Sequence, residues 1–236
     1  MDGISKKVVS NVIFLTGDTH GTLDIDKLSE KNWRSQYKLT RNDYLIILGD
    51  FGLYWQKNEN YEYLINFYKS RPYTVLWLDG NHENFSWIKK IPMVKFCGGN
   101  VQIDDNIIHL MRGEVYNIDN KTFFVMGGAK STDKAYRIEN ISWWAEEEPN
   151  LKEKNNAIRN LEKTNYKVDY ILTHACPAQI SKLMFGFDGD SDTERFLDFI
   201  NNNCIGKFKQ WYFGHYHQDD SFHHYTCLYD NVVKLK

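Results

Sequence analysis

Along this chain, short apolar runs end repeatedly in a glycine and a polar side chain of metal-binding type. Val12 to Thr16 leads into Gly17-Asp18-Thr19-His20-Gly21, and Tyr44 to Leu48 into Gly49-Asp50-Phe51-Gly52. Tyr73 to Leu78 leads, after Asp79, into Gly80-Asn81-His82-Glu83; Tyr170 to Thr173 into His174; and Trp211 to Phe213 into Gly214-His215-Tyr216-His217. Apolar runs of this length bounded by turn residues read as strands, and runs apolar at every position read as strands covered on both faces.

Between these runs the period changes. Leu23 to about Ser35 mixes polar and apolar positions and predicts a helix, so the chain opens as strand, loop, helix. Asn58 to Ser70 carries Tyr61, Leu64, Ile65 and Tyr68 at helical spacing and should lay one face on a sheet. A further helix is predicted from Leu151 to Glu162, with Leu151, Ala157, Ile158 and Leu161 inward, and another from Thr193 to Asn202. The middle of the chain differs: Val101–Ile103, Ile107–Leu110, Glu114–Ile118 and Thr122–Met126 are short runs separated by polar turns, which predicts an antiparallel meander. Phe222 to Leu228 is expected to close the sheet. No internal repeat is visible.

Composition narrows the function classes. The 236 residues suit one domain spanning 1–236, and 42% hydrophobic content with 15% aromatics is ample for a core. A formal net charge of −2 gives no basic footprint for nucleic acid or an anionic membrane, while leaving nucleotide substrates open. No apolar stretch is long enough to span a bilayer. Val8 to Leu15 is broken by Ser10 and Asn11 and runs straight into Asp18, which argues against a cleaved leader. Cys97, Cys176, Cys204 and Cys227 are far apart and form no CxxC pair, so reduced thiols and a cytoplasmic location are expected. Asp188-Gly-Asp-Ser-Asp192 looks like a calcium loop but has Thr193 at the sixth position and Phe199 at the twelfth, so it reads as a surface loop.

Taken singly, Gly-Asp pairs and isolated histidines are common. Their order from Asp18 to His217, namely DxH, GD, GNH, H and GHxH, resembles the calcineurin-like metallophosphoesterase superfamily. The resemblance implies an α/β fold of two mixed β-sheets packed face to face and flanked by helices. It also implies two divalent ions: Asp18, His20 and His217 would hold one, Asn81, His174 and His215 the other, and Asp50 would bridge both. His82 is then the motif histidine without a metal, a general acid for the leaving group, while a hydroxide bridging the ions attacks phosphorus. Mixed carboxylate, amide and imidazole ligands suit manganese first, with iron, zinc, nickel or magnesium as alternatives.

The family's protein Ser/Thr phosphatases extend the second motif to GDxxDRG. Here Asp50 is followed by Phe51-Gly-Leu-Tyr-Trp55, so the aspartate that would orient the acid histidine and the arginine that would grip phosphate are missing at those places. A small phosphorylated molecule or nucleotide is therefore the expected substrate, with a phosphoprotein second and a non-catalytic scaffold third. Arg112, Lys130 and Arg137 are candidate phosphate contacts; the alternative is that they are solvated loop charges. Tyr54, Trp55, Trp143 and Trp144 would either stack on a leaving group or pack in the core, and the passage from Ser131 to Pro149 is expected on the substrate rim. His109, His223 and His224 are expected to be structural or surface residues.

Overall fold

In the computed structural model, which describes residues 11–235, the five expected strand ends are all strand ends. The Val8 to Ser10 part of the first apolar run lies outside the described residues. Strands β1 (Ile13–Thr16), β2 (Tyr44–Leu48) and β3 (Thr74–Leu78) pair in parallel, with helix α1 (Glu59–Lys69) crossing from β2 to β3 and a single helical turn α2 (Phe85–Ile88) after β3. Then β4 (Met93–Phe96), β5 (Gly99–Asp104) and β6 (Ile107–Leu110) run antiparallel to one another, and β6 joins β3 in parallel.

The second half repeats the logic. A hairpin of β7 (Glu114–Ile118) and β8 (Lys121–Met126) leads through helix α3 (Leu151–Lys163) to β9 (Tyr170–Thr173). Helices α4 (Ala178–Phe185) and α5 (Asp192–Cys204) lead to β10 (Gln210–Phe213), and β11 (Asp220–Phe222), β12 (Tyr225–Cys227) and β13 (Val233–Lys234) end the chain. One sheet has the order β13-β1-β2-β3-β6-β5-β4 and the other β11-β12-β10-β9-β8-β7; both mix parallel and antiparallel pairs. Among the described residues no helix is long and apolar enough to cross a membrane.

Side-chain alternation divides each apolar run between two layers. Leu15, Ile46, Leu48, Leu76 and Leu78 meet Tyr116, Phe123, Val125 and Leu172 of the second sheet in the shared core. The intervening Phe14, Leu45, Ile47, Val75 and Trp77 face outward onto Leu28, Leu64 and Tyr68. Likewise Phe124, Ile171, Trp211 and Phe213 pack on Ala157, Leu161, Leu197 and Ile200 of the helices. Two-sided burial is why these strands read as continuous apolar runs.

Several expectations are corrected. The predicted helix from Leu23 to Ser35 is two short 3-10 turns, Ile25–Leu28 and Arg34–Lys38. Its polar side chains are held by tertiary partners instead, since Lys27 donates to the carbonyls of Asp18 and Tyr229. The predicted meander is two hairpins in different sheets, because the chain leaves the first sheet after β6 at Met111–Gly113. Phe222 to Leu228 spans the end of β11, a turn and β12, which form one edge of the second sheet, and β13 on the edge of the first sheet was not anticipated. Leu151 is exposed rather than inward. Helix α4, capped by Pro177 and the left-handed Gly186, was not anticipated. Ser191 caps α5 by accepting from the Glu194 amide, and Asp188, Asp190 and Asp192 pair with Lys182, Lys130 and Lys154, which explains the aspartates without calcium.

The crossing between sheets is fixed by a buried polar network. Arg112 Nε donates to Asp79 Oδ2 at 2.6 Å, its other nitrogens reach Glu153 and the Glu147 carbonyl, and His109 Nε2 lies 3.0 Å from Asp79 Oδ1. His109 stacks on Trp77 with ring centroids 4.2 Å apart, in line with its expected structural role. Burial would raise the Asp79 pKa, but the Arg112 and His109 charges and bonds outweigh it and hold it at about 2. Stability from this carboxylate is thus whole above its unfolded pKa of ~3.9 and is lost as pH falls toward about 2. Arg112→Ala is expected to cost about 3–5 kcal/mol by stranding a buried charge. Urea denaturation at neutral pH measures that loss, and the same titration from pH 5 to 2 should show a flatter acid limb in the variant.

Candidate metal centre

The strand ends deliver the expected side chains to one place at the junction of the two sheets. Ligand atoms within 4.8 Å of one another form three overlapping sets: Asp18, His20 and His217; His20, Asp50 and His82; and Asp18, Asp50 and His174. Asn81 joins them with Oδ1 3.2 Å from His174 Nε2, and the His215 ring lies 5.0 Å from that of His174. The tight loops force unusual backbone: His20, Asp50, His215 and His217 all have φ between 41° and 69°, the left-handed region that such residues rarely occupy. Strain of this kind, gathered at one site, points to function. Two glycines make room for it. A Cβ on Gly49 would lie 2.1 Å from His174 Nδ1, and one on Gly80 would lie 2.0 Å from Asp50 Oδ1.

Hydrogen bonds set the tautomers that a metal would need. His174 Nδ1 is 2.8 Å from the Leu48 carbonyl and donates to it, which turns Nε2 toward Asn81 and, at 3.4 Å, Asp50, where a divalent ion would take the place of the Nε2 proton. His20 Nδ1 is 2.7 Å from Asp24 Oδ2, which leaves Nε2 toward Asp50 Oδ2 at 3.2 Å. Burial acts to lower the His20 and His174 pKa values, yet bonds and charge from Asp50, with charge from Asp18, raise both to about 9. Burial together with the His174 charge pushes His215 down to about 4. Burial alone would raise the carboxyl pKa of Asp18 and Asp50; the neighbouring His174 charge leads the groups that lower both instead. Asp18 Oδ2 is buried without a hydrogen bond. Two buried carboxylates, one with an orphaned oxygen, and imidazoles turned Nε2-inward are a donor set that fits divalent ions.

Residues that the motif reading passed over complete the surroundings. Asp24 orients His20, and Tyr229 ties Asp24 to His217: its hydroxyl donates to Asp24 Oδ1 at 3.0 Å while its ring stacks on His217 at 4.7 Å. Glu83 Oε1 accepts from the Phe51 amide at 2.7 Å, and the His82 amide donates to Asp50 Oδ1 at 2.7 Å, so the second and third loops brace each other. Burial holds Glu83 well above the usual carboxylate range. Asp24 lies four residues from His20, a spacing visible in the sequence; nothing local marked Tyr229.

The three candidate phosphate contacts separate. Arg112 is consumed by the buried network described above, so the expected contact there is corrected. Lys130 pairs with exposed Asp190 and does not line the cavity beside the cluster. Arg137 does line it, together with His20 and His82. Its Nε and a terminal nitrogen grip Asp133 at 2.7 and 2.6 Å and the other terminal nitrogen donates to the Ser142 carbonyl at 3.0 Å, which leaves two of its five N–H groups. Of the aromatics, Tyr54 stacks on Trp77 in the core, and Trp144 is buried with Nε1 on Ser86 Oγ. Trp143 sits under Lys134, and neither it nor Trp144 lines the cavity, whereas Trp55 does.

The family model described as "Calcineurin-like phosphoesterase" matches residues 12–219. In structure the chain is similar to "Putative 5'-Nucleotidase from Staphylococcus aureus", solved with alpha-ketoglutarate, with a TM-score of 0.51 and 13% identity over 93% of this chain. The chain spans about half of that protein, 48% of its length. It is also similar to a phosphopantetheinyl hydrolase from Mycobacterium tuberculosis, at a TM-score of 0.49 and 13% identity, covering 93% of this chain and 88% of the other. No curated protein is significantly similar to it in sequence.

Groups behind metal ligands typically change affinity about 10- to 100-fold when removed. Asp24→Ala is expected to weaken manganese binding by that factor in a calorimetric titration. Tyr229→Phe keeps the ring on His217 and loses only the hydroxyl bond, so its loss should be smaller.

Proposed function

The chain belongs to the calcineurin-like phosphoesterase family, and from that premise we propose that it hydrolyses phosphate esters of small molecules or nucleotides with the aid of two divalent ions. The observation that carries the reading is the gathering of ligand-type side chains from five separate strand ends into three overlapping sets, two of which share Asp50, while His217 joins through Asp18 and His20. Asp18, His20 and His217 would hold one ion and Asn81, His174 and His215 the other, with Asp50 as a ligand to both. Mixed imidazole and oxygen ligands suit manganese, iron, zinc or nickel better than calcium, and manganese is the ion we propose to test first. When bound, such a pair supplies Lewis-acid charge to the phosphoryl oxygens and acidifies the attacking water.

The chain's own residues do the rest. Asp50, held by the His82 amide, keeps the two halves of the site in register. Arg137, fixed in place by Asp133, presents its free N–H groups to a phosphoryl oxygen at the cavity, in the role left open after the second motif. His82 faces the same cavity and gives a proton to the departing alkoxide. The cytoplasmic location expected from the four separated thiols belongs to this proposal as well.

Asp50→Asn is expected to lose metal and activity together; two tightly held ions in that variant, counted by elemental analysis, would remove the bridging role. His82→Ala should keep both ions and lose about 10²–10⁴ in rate on an alkyl phosphate ester, with a much smaller loss on a nitrophenyl ester that departs without protonation. Equal losses on both esters, or a missing ion, would show that His82 holds metal or substrate instead.

A further inference from the structure

Beside His20 and His82 lies a cavity of about 490 Å³, within the range of small-molecule sites. Its walls come from the two loops that carry the first and second motifs and from the start of α1. The apolar side is made by Leu53 and Leu64, with the rings of Trp55 and Tyr61. Both rings are braced from behind: Trp55 meets Trp144 edge-on at 5.3 Å, and Tyr61 packs on Trp87 at 4.8 Å. The polar side is made of amides. Asn58 spends its Oδ1 on capping α1, whereas Gln56 and Asn60 have no side-chain hydrogen bond among the described residues.

The charges are as informative as the shape. No carboxylate and no lysine lines the cavity, and its one permanent cation, Arg137, already carries Asp133 as counter-ion. Beyond the remaining N–H groups of Arg137, a polyphosphate tail or a charged peptide would find no charged side chain on these walls to replace its hydration. An uncharged flat ring with donors and acceptors on its edge would find two aromatic surfaces for its face and amide groups for its edge.

We propose that this cavity binds the organic leaving group of the substrate, and that this group is an uncharged heteroaromatic unit of which a nucleoside is the test case. The proposal rests on the phosphoesterase reading for its direction, because His82 at the cavity mouth marks the leaving-group side.

The test uses free adenosine and uridine, which carry no phosphate to engage the ions, titrated into the intact protein by calorimetry with glycerol as the aliphatic control. A nucleoside should bind the wild type and glycerol should not. Trp55→Ala should weaken nucleoside binding about tenfold, the scale of losing one ring stacked on a base. Asn60 is exposed, so Asn60→Ala leaves the fold intact and should weaken binding severalfold even if Trp55→Ala fails to fold. Absence of nucleoside binding at millimolar concentration, or unchanged affinity in Asn60→Ala and in a folded Trp55→Ala, would overturn the assignment. Phosphate release by the manganese-loaded wild type from a nucleoside monophosphate and from glycerol phosphate is measured alongside. Nucleoside binding with no release from either ester would uphold the cavity and defeat the phosphoesterase reading; release without nucleoside binding would do the reverse.

Discussion

Asp18 and Asp50, both buried at the seam between the sheets, set the terms for everything around them. A carboxylate taken out of water carries a desolvation cost of several kcal/mol unless charge and hydrogen bonds replace its hydration. Here His20 and His174 supply the charge, and the amides of His82 and His215 supply hydrogen bonds to Asp50 and Asp18. Those partners come from loops between 30 and 197 residues away in sequence yet adjacent in space, because parallel strands put every such loop at the same edge. The sheets therefore act as a frame whose purpose is to hold two negative charges where a pair of cations can replace protons.

The frame reaches that end through strained backbone. Left-handed conformations at His20, Asp50, His215 and His217 each cost of order 1 kcal/mol or more, and they survive because packing on both sides of each strand leaves no relaxed alternative. Glu83 shows how the strain is held: a buried carboxyl group, itself disfavoured in its charged form, ties the Phe51 amide directly after Asp50.

Much of this was legible in the sequence because it is written in local patterns. Apolar runs, glycines and the side chain after each glycine located the strands, their ends and the cluster that gathers there. What was hidden is decided by tertiary contact. Leu23 to Ser35 has helical periodicity, but Lys27 and Asp24 are bound to Asp18 and His20, so the segment turns in 3-10 steps. Tyr229 reaches the site from more than two hundred residues beyond Asp24, with no local signal. Arg112 and Arg137 look alike as loop cations, and only the position of Asp79 makes one structural while the other opens on the cavity.

The departure in the second motif has a physical counterpart. Where protein phosphatases of this superfamily place a carboxylate and a guanidinium, this chain places Leu53 and Tyr54, both buried beside the buried Phe51, with Phe51 and Tyr54 packed on Trp77. That segment is a hydrophobic wedge, and charged groups there would have to be desolvated in the core. The wedge fixes Leu53 and Trp55 as one wall of the cavity. On the proposed reading, cationic help for a phosphoryl group comes from across the cavity, where Arg137 is held by Asp133 on the passage before α3. On that reading, exchanging a charged loop for an apolar wall changes two things together: the source of positive charge, and the kind of leaving group that the site can accept without a counter-ion.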